Sequence, residues 1–117
     1  MNISYKVAFF FALFLASAIA YNSQWGKRDK KDAMIFSTRV YNNSIRGAYI
    51  QRDLTFPQVI TSKSKTITFI DALDNFRNSS GGYATLIAGG PKFKYVTLRF
   101  TSQYNYGLDF NVYIWAK

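Results

Sequence analysis

Hydrophobic and polar residues alternate most regularly in the last quarter of the chain. Between Tyr95 and Gln103, the apolar Val96, Leu98 and Phe100 alternate with polar or aromatic neighbours. Residues 108–115 repeat the pattern, with every even-numbered position apolar. A period of two predicts strands that bury one face. Asn105-Tyr106-Gly107, between the two runs, predicts the turn of a hairpin.

Other runs rich in β-branched and aromatic residues predict the remaining strands. In one of them, Thr66 to Leu73, alternation places Ile67 and Phe69 on one face; a short helix from Asp71 to Arg77 is the weaker alternative. We therefore predict an all-β fold: a single-domain antiparallel β-sandwich or barrel-like sheet of about six strands. The other runs are Ala33 to Tyr41, a segment within Ile45 to Phe56, and Tyr83 to Ala88.

The segment from Tyr21 to Asp32 is polar and basic and predicts a mobile or loosely docked arm. Trp25 offers this arm an anchor on the sheet, and an exposed aromatic on a frayed arm is the alternative.

The first 20 residues have the pattern of a helical secretory signal peptide. Lys6 precedes the uncharged apolar run Val7 to Leu15, and Ala18 and Ala20 provide the small residues of a cleavage site before Tyr21. The alternatives are a transmembrane anchor or a core helix, but polar residues follow too soon for a span of ~20 apolar residues. We expect residues 21–117 to form a secreted domain without a transmembrane anchor.

Composition excludes several kinds of chemistry. The chain has no His and no Cys, and its six acidic residues are all Asp. The sequence therefore lacks the nucleophilic pairs that need His or Cys and the usual ligands of zinc and haem. It also has no cysteine that could form a disulfide. Asp71 and Asp74 are three apart, which in a strand places them on opposite faces, unlike paired catalytic carboxylates. We assign no catalytic, cofactor-binding or metal-binding residue and expect a protein that is not an enzyme.

Positive charge is the remaining chemical signal. The chain has 15 Lys and Arg against six Asp, a formal net charge of +9. Arg39, Arg99 and Lys94, beside Tyr95 and Tyr113, predict a basic-aromatic surface for single-stranded nucleic acid, anionic membrane or acidic glycan. Charges dispersed along the chain, as these are, are also typical of solvated strand faces in a basic secreted protein. The expected partner is an unknown protein or an anionic partner, with nucleic acid less favoured.

Two tripeptides fit a secreted protein. Asn42-Asn43-Ser44 and Asn78-Ser79-Ser80 are acceptor sequences for N-linked glycans, and both fall between predicted strands.

Several motifs occur together in a fixed order. Trp25-Gly26 lies near the start of the domain, and Gly81-Gly82-Tyr83 and Gly89-Gly90-Pro91 flank a short apolar run ahead of the two alternating strands. In this combination the chain resembles the insect multiprotein bridging factor 2 family. The resemblance implies a small insect domain of a kind often labelled a salivary secreted peptide. It also implies a transcription coactivator, the activity for which the family is named, and supplies no catalytic or binding residue.

The glycine pairs have a structural interpretation of their own. We expect Gly81, Gly82, Gly89 and Gly90 to provide turn positions with a positive φ angle.

Three functions follow as hypotheses. The first is a secreted, non-enzymatic β-domain, of saliva or haemolymph, that acts by binding. The second is an intracellular transcription coactivator of the bridging-factor type. The third is a cationic host-defence or anionic-surface-binding protein.

Overall fold

Seven strands and no helix make up the part of the chain that the computed structural model describes, residues 22–76 and 79–117. Accordingly, this part contains no helix of the length and apolarity that a membrane span requires. The strands are β1 (Ser23–Gly26), β2 (Ala33–Asn42), β3 (Gln51–Phe56), β4 (Ile67–Asp74), β5 (Tyr83–Gly89), β6 (Val96–Thr101) and β7 (Leu108–Ala116).

The strands form two antiparallel sheets that enclose one core. Sheet A has four strands in the order β1-β4-β7-β2, and sheet B has three in the order β3-β6-β5. Phe110 of sheet A and Phe100 of sheet B meet with ring centroids 4.9 Å apart, and Phe36 stacks on Phe56 across the sheets at 4.3 Å. The predicted all-β sandwich is confirmed.

The two regularly alternating segments form β6 and β7, each an inner strand with a neighbour on both sides. In β7 the even-numbered residues are buried and the odd-numbered ones partly exposed, as the pattern predicted. In β6 Val96, Leu98 and Phe100 are buried in the same manner. A central strand with one face toward the partner sheet shows the period-two pattern most clearly, because neighbours on both sides hold it extended.

The expectation for β4 is wrong in one respect. Ile67 and Phe69 do not share a face, because the pairing register with β7 shifts between these two residues. The irregularity reverses the alternation, so that Ile67, Ile70 and Ala72 enter the core while Phe69 packs beside Trp115, at 5.4 Å between centroids.

The described residues form seven strands, where about six were predicted. The additional strand is β1, which was expected to be a loose arm. It pairs with β4 from Ser23↔Ala72 to Gly26↔Phe69, and Trp25 packs against the hydrophobic core. Of the two alternatives for Trp25, the structure therefore shows the anchor.

Successive strands run in opposite directions, so their connections alternate between the two ends of the sandwich. The connections 27–32, 57–66 and 90–95 lie at one end together with Lys117. The connections 43–50, 75–82 and 102–107 belong to the other end, residues 77–78 lying outside the described part. This alternation decides which side chains come together.

Candidate functional site

Backbone hydrogen bonds tie three connections and the C-terminal residue into one surface. The Lys27 amide donates to the Thr68 carbonyl at 3.1 Å, and the Lys117 amide donates to the Thr66 carbonyl at 3.1 Å. Ile67 donates to the Phe93 carbonyl, and its own carbonyl accepts from the Lys92 amide, both at 2.8 Å. The start of β4 is therefore the point where these segments meet.

This surface, here called the basic end, carries most of the charge of the chain. It contains nine of the 15 basic residues and only two of the six acidic residues, Asp29 and Asp32. Charges that are dispersed along the sequence are therefore gathered by the fold. The nine are Lys27, Arg28, Lys30, Lys31, Lys63, Lys65, Lys92, Lys94 and Lys117.

An open groove of about 370 Å³ lies at the basic end, between the two sheets. Its lining is largely apolar, with Ile35 from β2, Phe56 from β3, and Pro57 and Val59 from the connection that follows. Lysines at positions 63, 65 and 94 also line it. Among the described residues, none of these three ammonium groups has an ion-pair partner. The groove therefore combines an apolar lining with uncompensated positive charge.

A second, more polar hollow lies beside β1. It is lined by Lys27, Arg28, Lys30 and Lys117 around the buried Asp32. Asp32 accepts the Asp29 amide at 2.7 Å, and this bond, with help from the neighbouring cations, holds the pKa of its carboxyl below the ordinary value. Arg28 also packs on the Trp115 ring at 4.8 Å, a cation–π contact. Asp32 thus organises the connection that presents these cations.

The basic-aromatic surface predicted from the sequence is not assembled. Arg39 lies on the outer face of sheet A and Arg99 on that of sheet B, so they point away from each other. Both guanidinium groups also form ion pairs with aspartates. Arg39 donates to both carboxylate oxygens of Asp109 at 2.7 and 2.8 Å, and Arg99 donates to both oxygens of Asp53 at 2.9 and 3.1 Å. These bonds lower the pKa of each carboxyl and raise that of each guanidinium. Of the cations expected there, Lys94 belongs to the basic end.

Asp71 and Asp74 lie on opposite faces of β4, as their spacing predicted. Asp71 pairs with the outward Tyr113 and Asp74 with the inward Phe110. Asp74 is buried and accepts the amides of Phe76 and Gly82, both at 3.0 Å, so it ties the end of β4 to the start of β5. Burial raises the pKa of its carboxyl despite these bonds. In residues 22–76 and 79–117, no three carboxylates converge as a metal site.

The glycine pairs of the motifs act in two different ways. Gly89 and Gly90 have φ angles of 65° and 111°, as expected for their turn at the basic end. Gly81 and Gly82 do not have the positive φ that was predicted. Glycine is needed at these two positions because neighbouring atoms leave no room for a Cβ. A Cβ on Gly81 would lie 2.2 Å from the Asp74 carboxylate, and one on Gly82 would lie 2.7 Å from the Thr101 carbonyl.

The other motif residues lie at both ends of the sandwich, Trp25 and Gly26 at the basic end and Tyr83 at the opposite end. Trp25 and Gly26 reach the basic end, where a Cβ on Gly26 would lie 2.7 Å from Pro91. Tyr83 starts β5 with an exposed ring. The Trp25-Gly26 and Gly89-Gly90-Pro91 motifs are thus in contact across the basic end.

The predicted processing sites lie far from this surface or outside the described residues. Asn42 ends β2 at the opposite end, where its Nδ2 donates to the Asn43 carbonyl and its Oδ1 accepts from Arg52. The cleavage residues Ala18, Ala20 and Tyr21, and the second acceptor Asn78, fall outside the described part.

Sequence reasoning missed the lysines at positions 63, 65, 92 and 117 as members of one site. A usable signal was present nonetheless. Where successive strands run in opposite directions, alternate connections share an end, and the connections after β1, β3 and β5 are the lysine-rich ones.

Comparison with known proteins places the chain in a family. The family described as "Transcription activator MBF2" matches residues 25–116, which span all of the strands from Trp25 onward. The chain belongs to the MBF2 family. A "Probable salivary secreted peptide" of Bombus ignitus is 33% identical over 98 residues, covering 84% of this chain and 71% of the relative. No solved structure matches the chain. The family description thus names a transcription activator, and the insect relative is named as a secreted peptide.

Proposed function

We propose that this MBF2-family protein is a secreted, non-enzymatic β-domain that acts by binding a partner through its basic end. The observation that carries the proposal is the concentration of nine basic residues against two acids on one surface. Such a surface attracts anionic partners from a distance and concentrates them locally.

Secretion is supported by two further observations. The first 20 residues follow the pattern of a cleavable leader, and the Bombus ignitus relative is named as a secreted peptide. The lack of His, Cys and Glu leaves few residue types for acid–base or nucleophilic catalysis, which favours binding over catalysis.

Expression of the chain with its own leader in insect cells tests this function. Medium and lysate are analysed separately by intact mass and N-terminal sequencing. We expect a species in the medium that starts at Tyr21, with or without added glycan mass. Asn42→Gln and Asn78→Gln each remove the glycan mass that their own site carries. A full-length chain retained in the lysate would overturn the proposal.

The second candidate is a transcription coactivator, which the description of the family favours. A reporter assay with residues 21–117 expressed in the nucleus distinguishes it from the first. Activation above the empty vector supports the coactivator, and its absence together with secretion favours the secreted domain.

A further inference from the structure

The basic end also exposes large apolar side chains. Val59 is 72% exposed, and Ile60 and Phe93 are each 52% exposed. Val59 and Ile60 lie in the connection that carries Lys63 and Lys65, while Phe93 lies between Lys92 and Lys94. Backbone bonds between Phe93 and Ile67 hold the second connection against the start of β4. Apolar side chains thus protrude from the most cationic surface of the described protein.

This combination narrows the chemistry of the partner. A soluble polyanion such as heparin satisfies ammonium groups but offers no apolar phase for valine and isoleucine. An anionic bilayer offers both, because headgroup phosphates and carboxylates lie directly above an apolar interior. The lysines that line the groove have apolar stems that can cover apolar surface while their ammonium groups reach those headgroups.

We infer that the basic end docks on membranes rich in anionic phospholipid, with Val59, Ile60 and Phe93 entering the interface. The inference rests on the proposed binding function and names its partner. Lys63, Lys65 and Lys94 stand around the apolar groove, where they contact headgroups. The opposite end, which carries Asn42, faces away from the bilayer, so a glycan there leaves docking unaffected.

Sedimentation with vesicles tests the inference. The probe is vesicles of phosphatidylcholine and phosphatidylserine in equal amounts, with pure phosphatidylcholine vesicles for comparison. The protein is that recovered from the medium, or the full chain purified from the lysate if it is retained. At an ionic strength of about 0.1 M, where the Debye length is ~10 Å, we expect binding to the phosphatidylserine vesicles alone.

Two pairs of double variants separate docking from general attraction. Lys63→Gln with Lys65→Gln should reduce the partition coefficient roughly 25-fold, about fivefold for each lysine near an anionic surface. Arg46→Gln with Arg52→Gln, at the opposite end and with the same change of charge, should reduce it less than about threefold. The four side chains are exposed, so folding, checked by circular dichroism, should be unaffected.

The apolar contribution is tested in the same way. Val59→Ser with Ile60→Ser should weaken vesicle binding by on the order of tenfold or more, because two exposed aliphatic groups no longer enter the interface. Ile45→Ser, an exposed aliphatic residue at the other end, should leave binding unchanged.

Three results would overturn the inference. The first is no sedimentation even at low salt. The second is binding that the two charge variants reduce equally or that the Val59/Ile60 variant leaves intact, which indicates attraction to any polyanion. The third is capture of a single fatty acid in the groove without vesicle binding. None of these results depends on whether the protein is found in the medium or in the lysate. Failure of the membrane inference can therefore be distinguished from failure of the proposed secretion.

Discussion

Asp109 is the more buried of the two aspartates that pair with an arginine. Its side chain is 13% exposed, and its carboxylate accepts hydrogen bonds from the Arg39 guanidinium and from Nδ2 of the Asn75 side chain. The Asp53–Arg99 pair is open to solvent, with side-chain exposures of 43% and 41%. Ion pairs stabilise more when solvent screening is weaker, so the two pairs should differ in their contribution to folding.

Replacement of Asp109 by Asn should lower the free energy of unfolding by about 1–2 kcal/mol at neutral pH. The folded-state pKa of this carboxyl is lowered, so its stabilisation is present above the unfolded-state pKa of about 3.9 and is lost as the pH falls through the folded-state value. Urea unfolding from pH 7 down to pH 2 should show the difference between wild type and variant shrinking below about pH 4.

Asp53→Asn is the matched control for that experiment. Because both partners are exposed and screened by solvent, Asp53→Asn should lower the free energy of unfolding clearly less than Asp109→Asn does. Equal losses in the two variants would contradict the assignment of different environments to Asp109 and Asp53.

Gly81 is a second position where one residue has a large effect. Gly81→Ala places a Cβ against the Asp74 carboxylate, which must move and release the amides of Phe76 or Gly82. We expect a loss of about 2–3 kcal/mol in urea unfolding, the cost of leaving a buried polar group unpaired. In an Asp74→Ala background the same substitution should cost much less, and an undiminished cost would show that the carboxylate is not the obstacle.

At the level of elements, β1 has Trp25 as its side-chain anchor in the core. It is a four-residue edge strand held by its ladder to β4 and by the packing of Trp25 against the core. Trp25→Ala should destabilise the protein by about 1–3 kcal/mol and expose the amides of β1 to hydrogen exchange before the rest of sheet A. Exchange measured by NMR checks this, with Gln24→Ala on the exposed face as the control that should leave β1 protected.

The same strands show how far the alternation of residues predicts the fold. β6 and β7 could be assigned with their inward faces because each is central and regular. The position of β4 could be predicted, but its inward face could not. One irregularity between Ile67 and Phe69 reverses the alternation, and no residue type in this segment indicates it. β1 is too short for a period of two to be visible, and its pairing depends on a tertiary contact of Trp25.

At the scale of the whole molecule, the distribution of charge could not be predicted from the local sequence. The lysine at position 63 is nearly thirty residues from the one at position 92, yet their connections meet at the start of β4. Only the alternation of connections between two ends brings them together. Conversely, Arg39 and Arg99, which the sequence predicted to share one surface, lie on the outer faces of different sheets. Each forms an ion pair with an aspartate.

This asymmetry predicts that equal changes of net charge have unequal effects on binding to a charged surface. Lys92→Gln with Lys94→Gln and Arg46→Gln with Arg52→Gln each remove two positive charges, the first pair from the basic end and the second from the far end. On a sulfonate cation-exchange column at pH 7, the protein should bind with its basic end toward the resin.

We therefore expect the Lys92/Lys94 variant to elute at clearly lower salt than wild type, and the Arg46/Arg52 variant close to wild type. At the ~0.1 M salt of early elution the Debye length is only ~10 Å, so charges at the far end contribute little to the contact. Equal shifts for the two variants would mean that the column senses net charge alone, and the basic end would then not act as a distinct surface.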